Sequence, residues 1–262
     1  MTIETERLIL NCKRTHYMPK IYALTDIHGY LDILKETIKK VDLSDDNKLI
    51  FLGDYIDGGP YSRQTLEYIF NLQKQFPKNV IVLKGNHEEC FIDWLEEDIE
   101  IGFLNEDKNL NTIKTFLKDN QLDIIADYLK KGKTLFEINS IIKKYIKKNY
   151  WELIDWIKNL PLYYETDRQI FVHAGIDEEA GEYWKLVTED YYFLQRFPAV
   201  KGRFYKDIIA GHVGTSALAE DKNFHNIYYD GESHYYLDST VKVSQKLNIL
   251  IYNTETKKYT FE

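Results

Sequence analysis

The chain has 262 residues, 44% of them hydrophobic and 29% charged, and a net charge of −8. That length supports one large α/β domain with a core of its own, and the composition is that of an ordinary soluble globular protein. The acidic balance lacks the basic footprint of a protein that grips nucleic-acid polymers, and no run approaches the roughly 20 apolar residues of a membrane-spanning helix. A phosphorylated substrate remains compatible if bound cations reverse the field inside one cleft. The 21 tyrosines suit sheet and core packing. Cys12 and Cys90 form no CxxC pair, which points to plain thiols in a reducing cytoplasm.

Residues 1–17, MTIETERLILNCKRTHY, carry charges where a signal peptide needs its apolar centre, and they read as a peripheral extension to one domain over 18–262. Three segments then repeat one grammar of apolar run, polar loop and helix-period stretch: KIYALTDIHGYLDILKETIKKV, KLIFLGDYIDGGPYSRQTLEYIF and NVIVLKGNHEECFIDWLEE. The runs IYAL, LIFL and VIVL predict buried strands, and Leu31, Leu34, Ile38 and Val41 recur at helical spacing. Alternating β and α predicts parallel strands, with ligands gathered at their carboxyl ends. From about 91 to 158 the sequence turns helical and rich in Lys and Glu, an insertion in which Ile141, Ile142, Tyr145 and Ile146 face the core and Lys143, Lys144, Lys147 and Lys148 face solvent. The acidic run DWLEEDIE within it also reads as a solvated face. Strands resume in LPLYYE, QIFVHAG and DIIAGHVG. The closing HYYLDSTVKVSQKLNILIYNTETKKYTF reads as several strands, with a turn near Asn253–Thr256.

Each predicted strand end carries candidate metal ligands. Asp26 and His28, two apart on extended chain, leave the same face; Asp54, Asn86, His173 and His212 follow in later loops. Carboxylate, amide and imidazole without sulfur suit Mn, Fe or Zn. Six donors are generous for one catalytic ion and sensible for two sharing a carboxylate at a spacing of ~3.5–4 Å, with Asp54 as the bridge.

The ordered set DIHG, GDYIDGG, GNHE, FVHAG and GH resembles the phosphoprotein phosphatase branch of the calcineurin-like metallophosphoesterases, in particular its bacterial and phage Ser/Thr phosphatases and symmetrical diadenosine tetraphosphatases. The resemblance implies a central β-sandwich flanked by helices and two divalent ions, manganese first, with iron or zinc as alternatives. It implies that Asp26, His28 and Asp54 hold one ion, and that Asp54, Asn86, His173 and His212 hold the other. His87 would protonate the leaving oxygen, with Asp57 orienting and charging its imidazole, and Asn86 and Arg196 would contact phosphate. The implied reaction is hydrolysis of a phosphomonoester, on a phosphoprotein or a small ester; symmetrical dinucleoside tetraphosphate hydrolysis is the alternative.

The family usually reads Asp-Arg-Gly where this chain reads Asp57-Gly58-Gly59, which removes a phosphate-binding guanidinium. Arg196 matches a second family Arg; Arg63 and Arg203 are further candidates to replace the missing one. A catalytically impaired binding module on the same fold is the reading of another class.

Overall fold

The computed structural model describes residues 19–96 and 111–262. The predicted extension 1–17, and residues 97–110 of the predicted insertion with the end of its acidic run, lie outside the described residues.

The first apolar runs form β1 (Lys20–Leu24), β2 (Lys48–Phe51) and β3 (Val80–Val82), paired parallel in that order. Between them lie helices α1 (Leu31–Ile38) and α2 (Ser62–Gln75), and α3 (Asn86–Glu96) follows β3. The insertion supplies α4 (Asn111–Phe116), α5 (Asp119–Lys130), α6 (Leu135–Asn149) and α7 (Trp151–Lys158). A second sheet is built from β4 (Tyr163–Glu165), β5 (Gln169–Val172), β6 (Asp207–Ala210), β7 (Tyr228–Tyr229) and β8 (His234–Tyr236), in the order β4-β5-β6-β8-β7. Against its outer face lie α8 (Trp184–Val187) and α9 (Asp190–Gln195), and α10 (Thr215–Leu218) follows β6. After α11 (Val241–Ser244), strands β9 (Leu250–Asn253) and β10 (Lys258–Phe261) return antiparallel to the first sheet, giving β10-β9-β1-β2-β3. Their turn is where the sequence predicts it: Asn253 Oδ1 accepts from the Glu255 and Thr256 amides at 3.1 and 2.8 Å.

Strand alternation separates three apolar layers. Ile21, Ala23, Ile50 and Leu52 face inward onto Phe171, Ile209 and Tyr235 of the second sheet. Tyr22, Leu24, Leu49 and Phe51 face the opposite way, onto helices through Leu34, Leu66, Phe91 and Ile146. Ile170, Val172, Ile208 and Ala210 pack under Trp184, Phe193 and Leu194. The result is the predicted helix-flanked sandwich, with the parallel strands β5-β6-β8 at the middle of the second sheet and β1-β2-β3 running from the middle of the first to its edge.

Two expectations need correction. Lys143 is not on the solvent face of α6: it is buried, with its amino group 5.4 Å from the centroid of the Trp94 ring, while Lys144, Lys147 and Lys148 are exposed. Within the closing segment, which reads as several strands, Val241–Ser244 instead makes one turn of helix. Thr240 (φ 53°) and Gln245 (φ 55°) hold left-handed backbone at its two ends and close it off from either sheet. Among the described residues no helix is long and apolar enough to cross a membrane.

Candidate metal centre

The loops that leave the carboxyl ends of β1, β2, β3, β5 and β6 converge. Asp26, His28, Asp54, Asp57 and His212 all adopt positive φ, between 47° and 68°. Such backbone is costly for non-glycine residues, persists where surroundings over-determine it, and concentrates at functional sites. Here the surroundings are backbone bonds between loops: Asp26 N–H donates to Gly53 O at 3.1 Å, and Ile27 and His28 N–H both donate to Asp54 O at 2.8 and 2.9 Å. Gly85 is required by the same crowding, because a Cβ there would stand 2.3 Å from Asp54 N and Oδ1.

Asp54 lies at the middle. Its Oδ2 is 3.4 Å from His173 Nε2, 3.8 Å from His87 Nε2 and 3.9 Å from His28 Nε2. Asn86 Oδ1 is 2.8 Å from His173 Nε2 and 3.1 Å from His212 Nδ1. Asp26 Oδ1 is 3.8 Å from His28 Nε2. Donor atoms bound to one divalent ion at about 2.0–2.2 Å stand about 3 Å apart when adjacent and about 4 Å apart when opposite. The shorter set, around Asn86, His173, His212 and Asp54, fits a divalent ion; on the other side of Asp54 the donor atoms that lie within 4.8 Å of one another are those of His28, Asp54 and His87, with Asp26 Oδ1 set 3.8 Å from His28 Nε2.

The ring nitrogens are oriented for this. His28 Nδ1 donates to Ile56 O at 2.9 Å and His173 Nδ1 to Leu52 O at 2.9 Å, since a carbonyl only accepts; in the neutral ring this tautomer leaves the Nε2 lone pair for a metal. Burial opposes ionisation of Asp54, but the imidazoles of His173 and His87 hold its carboxyl well below the usual carboxylate range. Burial likewise opposes charge on His173, yet the Asp54 carboxylate and then Asp26 push it up to about 9. His212 is pushed down to about 4 by burial and by His173. Burial, with Asp54 beside it, raises Asp26. Protons thus balance the carboxylates, and ligation by neutral imidazole exchanges them for cations.

His87 differs from the other histidines. Its side chain is 32% exposed where His173 is fully buried, and its Nδ1 pairs with Asp57 Oδ2 at 2.7 Å. Burial disfavours its charge, but Asp54 and then the Asp57 hydrogen bond push it up to about 10, so it carries a proton at neutral pH. Asp57 is itself held by the Thr112 hydroxyl, which donates to Oδ1 from helix α4.

Arg196 packs its stem over Gly175, two residues past His173, with the guanidinium 4.7 Å above the Tyr192 ring. Its Nε is buried and has no protein partner. Arg63 is instead committed to Glu67 and to Thr115 O, and Arg203 is exposed. Gly58 has φ +104°, with no heavy atom nearer than 3.7 Å to a Cβ built there: the space is open and the backbone suits glycine.

Three site residues escape the sequence reading. Glu88, fully buried, accepts from the amides of Asp54 and Tyr55 at 2.8 Å each and of Gly85 at 3.1 Å, bracing the loops after β2 and β3. Its place directly after Asn86-His87 was a usable signal. Asp238 follows β8 just as the candidate ligands follow their strands; burial and then Asp26 push its carboxyl up to about 7. Thr112 lies 55 positions from Asp57 and has no local signature.

Residues 19–250 match the calcineurin-like phosphoesterase family. The Caenorhabditis elegans serine/threonine-protein phosphatase 6 catalytic subunit is 34% identical over 83 residues, 32% of this chain and 25% of that one. The Candida albicans PP2A-like phosphatase PPG1 is 31% identical over 119 residues, 44% of this chain and 26% of that one. The match thus spans about a quarter of each of those phosphatases. Among solved structures, a Saccharomyces cerevisiae protein serine/threonine phosphatase superposes with TM-score 0.54 at 12% identity, covering 95% of this chain and 80% of that one. A structure provisionally assigned as a diadenosine tetraphosphatase gives 0.51 at 13% identity, covering 94% and 93%. Both share the fold. With the family matched over most of its length, this chain belongs to the calcineurin-like phosphoesterases.

Proposed function

We propose that the chain is a dinuclear-metal phosphoesterase that hydrolyses phosphomonoesters, with phosphoserine or phosphothreonine in protein as the substrate class. The observation that carries this is Asp54: one carboxylate oxygen within 3.4–3.9 Å of Nε2 of His173, His87 and His28, side chains from three separate loops.

Asp26, His28 and Asp54 would hold one ion, and Asp54, Asn86, His173 and His212 the other. Oxygen and nitrogen donors without sulfur favour manganese, with iron or zinc as alternatives. When bound, the two ions supply Lewis acidity toward the phosphoryl oxygens and make water nucleophilic at neutral pH. The protein's own residues do the rest. His87 delivers its proton from Nε2 to the departing oxygen, which an alkoxide requires. Asp57, fixed by Thr112, keeps the imidazole charged and aimed. The orphaned Arg196 Nε offers a donor for a phosphoryl oxygen, close to the His173 loop. Asn86 contacts phosphate as well as metal in this reading.

The test is manganese-dependent turnover of p-nitrophenyl phosphate, a phosphoserine peptide and diadenosine tetraphosphate, side by side. Metal-dependent hydrolysis favouring the peptide by ~100-fold supports the proposal. The same preference for diadenosine tetraphosphate selects the dinucleotide reading, and no metal-dependent hydrolysis of any of the three selects the binding module.

A further inference from the structure

Beside the centre lies a cavity of about 340 Å3 whose wall includes Asp57, Gly58, His87, Asp238, Thr240 and Lys242. His87 gives its proton to the leaving oxygen, so the leaving group must occupy the space that His87 borders, and this is that space. We propose that Lys242 is a specificity-determining residue that receives an anionic group carried on the leaving-group side of the substrate. The proposal rests on the phosphoesterase reading of the site.

Four observations carry it. Among the described residues, Lys242 is the one Lys or Arg on the cavity wall. It is exposed and forms no salt bridge with a carboxylate among the described residues. The carboxylates on the same wall are already engaged: Asp57 with His87 at 2.7 Å, and Asp238 Oδ1 with the Thr240 amide at 2.7 Å. The floor at Gly58 is open, with nothing within 3.7 Å of a Cβ position.

The segment that presents Lys242 is also held in place at an energetic cost. Thr240, a β-branched residue, has φ 53°, and Gln245 has φ 55°. Both are uncommon backbone states that persist where the surroundings impose them. The surroundings here are the Asp238 carboxylate on Thr240 N, the Ser239 hydroxyl on Lys246 O at 2.6 Å, Gln245 Nε2 on Lys242 O at 2.9 Å, and the buried Val241 side chain. The lysine therefore rises from a fixed turn at the cavity rim rather than from a loose loop. A carboxylate or a second phosphate on the leaving group is the chemistry that an ammonium so placed recognises.

The test is calorimetric binding to the manganese-loaded full chain of two probes that have no ester to cleave, phenylphosphonate and 4-carboxyphenylphosphonate. Lys242→Ala is expected to weaken the carboxylated probe about fivefold more than the plain one. Lys242→Arg should restore most of the difference, and Lys242→Glu should invert the preference. Equal losses on both probes, or no loss on either, overturn the proposal. Turnover then separates the sources of the anion: a selective Lys242→Ala loss on a phosphoserine peptide flanked by Asp, relative to one flanked by Ala, points to a carboxylate. A selective loss on diadenosine tetraphosphate points to a phosphate. Lys242-dependent discrimination in a protein that hydrolyses no ester would refute the catalytic reading while keeping the subsite; hydrolysis without discrimination would do the reverse.

Discussion

Replacing Asp57 with Asn removes one charge from the pair that serves the acid while keeping an oxygen for His87 Nδ1–H to reach. The bond is 2.7 Å long, charge-assisted and partly shielded, with the two side chains 32% and 15% exposed. A charge-assisted bond contributes about 1.5–3 kcal/mol, and its neutral counterpart about 1 kcal/mol. The difference, about 0.5–2 kcal/mol, corresponds to roughly 0.4–1.5 pH units in the imidazole pKa. In the metal-free protein the neighbouring carboxylates push the His87 imidazole up to about 10, and Asp57→Asn should lower its pKa by that range, read from its carbon shifts by NMR. With metal bound, the alkaline limb of kcat on an alkyl phosphate should move the same way, because the acid must be protonated to act. p-Nitrophenyl phosphate, whose leaving group needs little protonation, should respond less. An unchanged His87 titration together with an unchanged limb would refute the reasoning that Asp57 keeps the acid charged.

Gly58→Arg brings a guanidinium to open space but forces a side chain onto backbone at φ +104°, which costs of order 1–3 kcal/mol. A lower Tm with higher kcat/KM on small phosphate esters is expected, and a loss of kcat/KM would show that the site already fills that space. Far from the centre, buried His234 bridges Asp230 at 2.8 Å and Glu178 at 3.1 Å. Burial opposes its charge, but Glu178 and then Asp230 raise its pKa, while the amides of Gly202 and His234 depress Asp230 against burial. The His234 contribution is full below its unfolded pKa of about 6.5 and is lost as pH rises through the folded value; that of Asp230 is present above about 3.8 and is lost as pH falls through its folded value. His234→Gln should therefore cost about 2–4 kcal/mol in urea unfolding at pH 5.5 and less at pH 9.5. An equal cost at both pH values would remove the ionic explanation.

The strands were legible because parallel, doubly covered strands are continuous apolar runs, as in LIFL and QIFV, and the loops that converge were legible because each such run ends in Asp, Asn or His. Asp238 obeys the same rule, but it lies in a stretch whose alternating valines, Val241 and Val243, look like strand. Only the left-handed backbone at Thr240 and Gln245, imposed by tertiary hydrogen bonds, turns that stretch into a cavity rim. Thr112 was out of reach for a related reason: its bond to Asp57 exists because α4 folds back against α2, which no local pattern encodes. Lys143 reads as solvent-facing from its neighbours, yet it is buried with its amino group over the Trp94 ring of α3.

The central claim, that Asp54 joins two metal sites, is tested most directly by metal analysis of the purified chain reconstituted with manganese, wild type against Asp54→Asn. The account predicts two ions per wild-type chain, and at most one per variant chain together with loss of turnover. Two ions and full turnover without that carboxylate would contradict it.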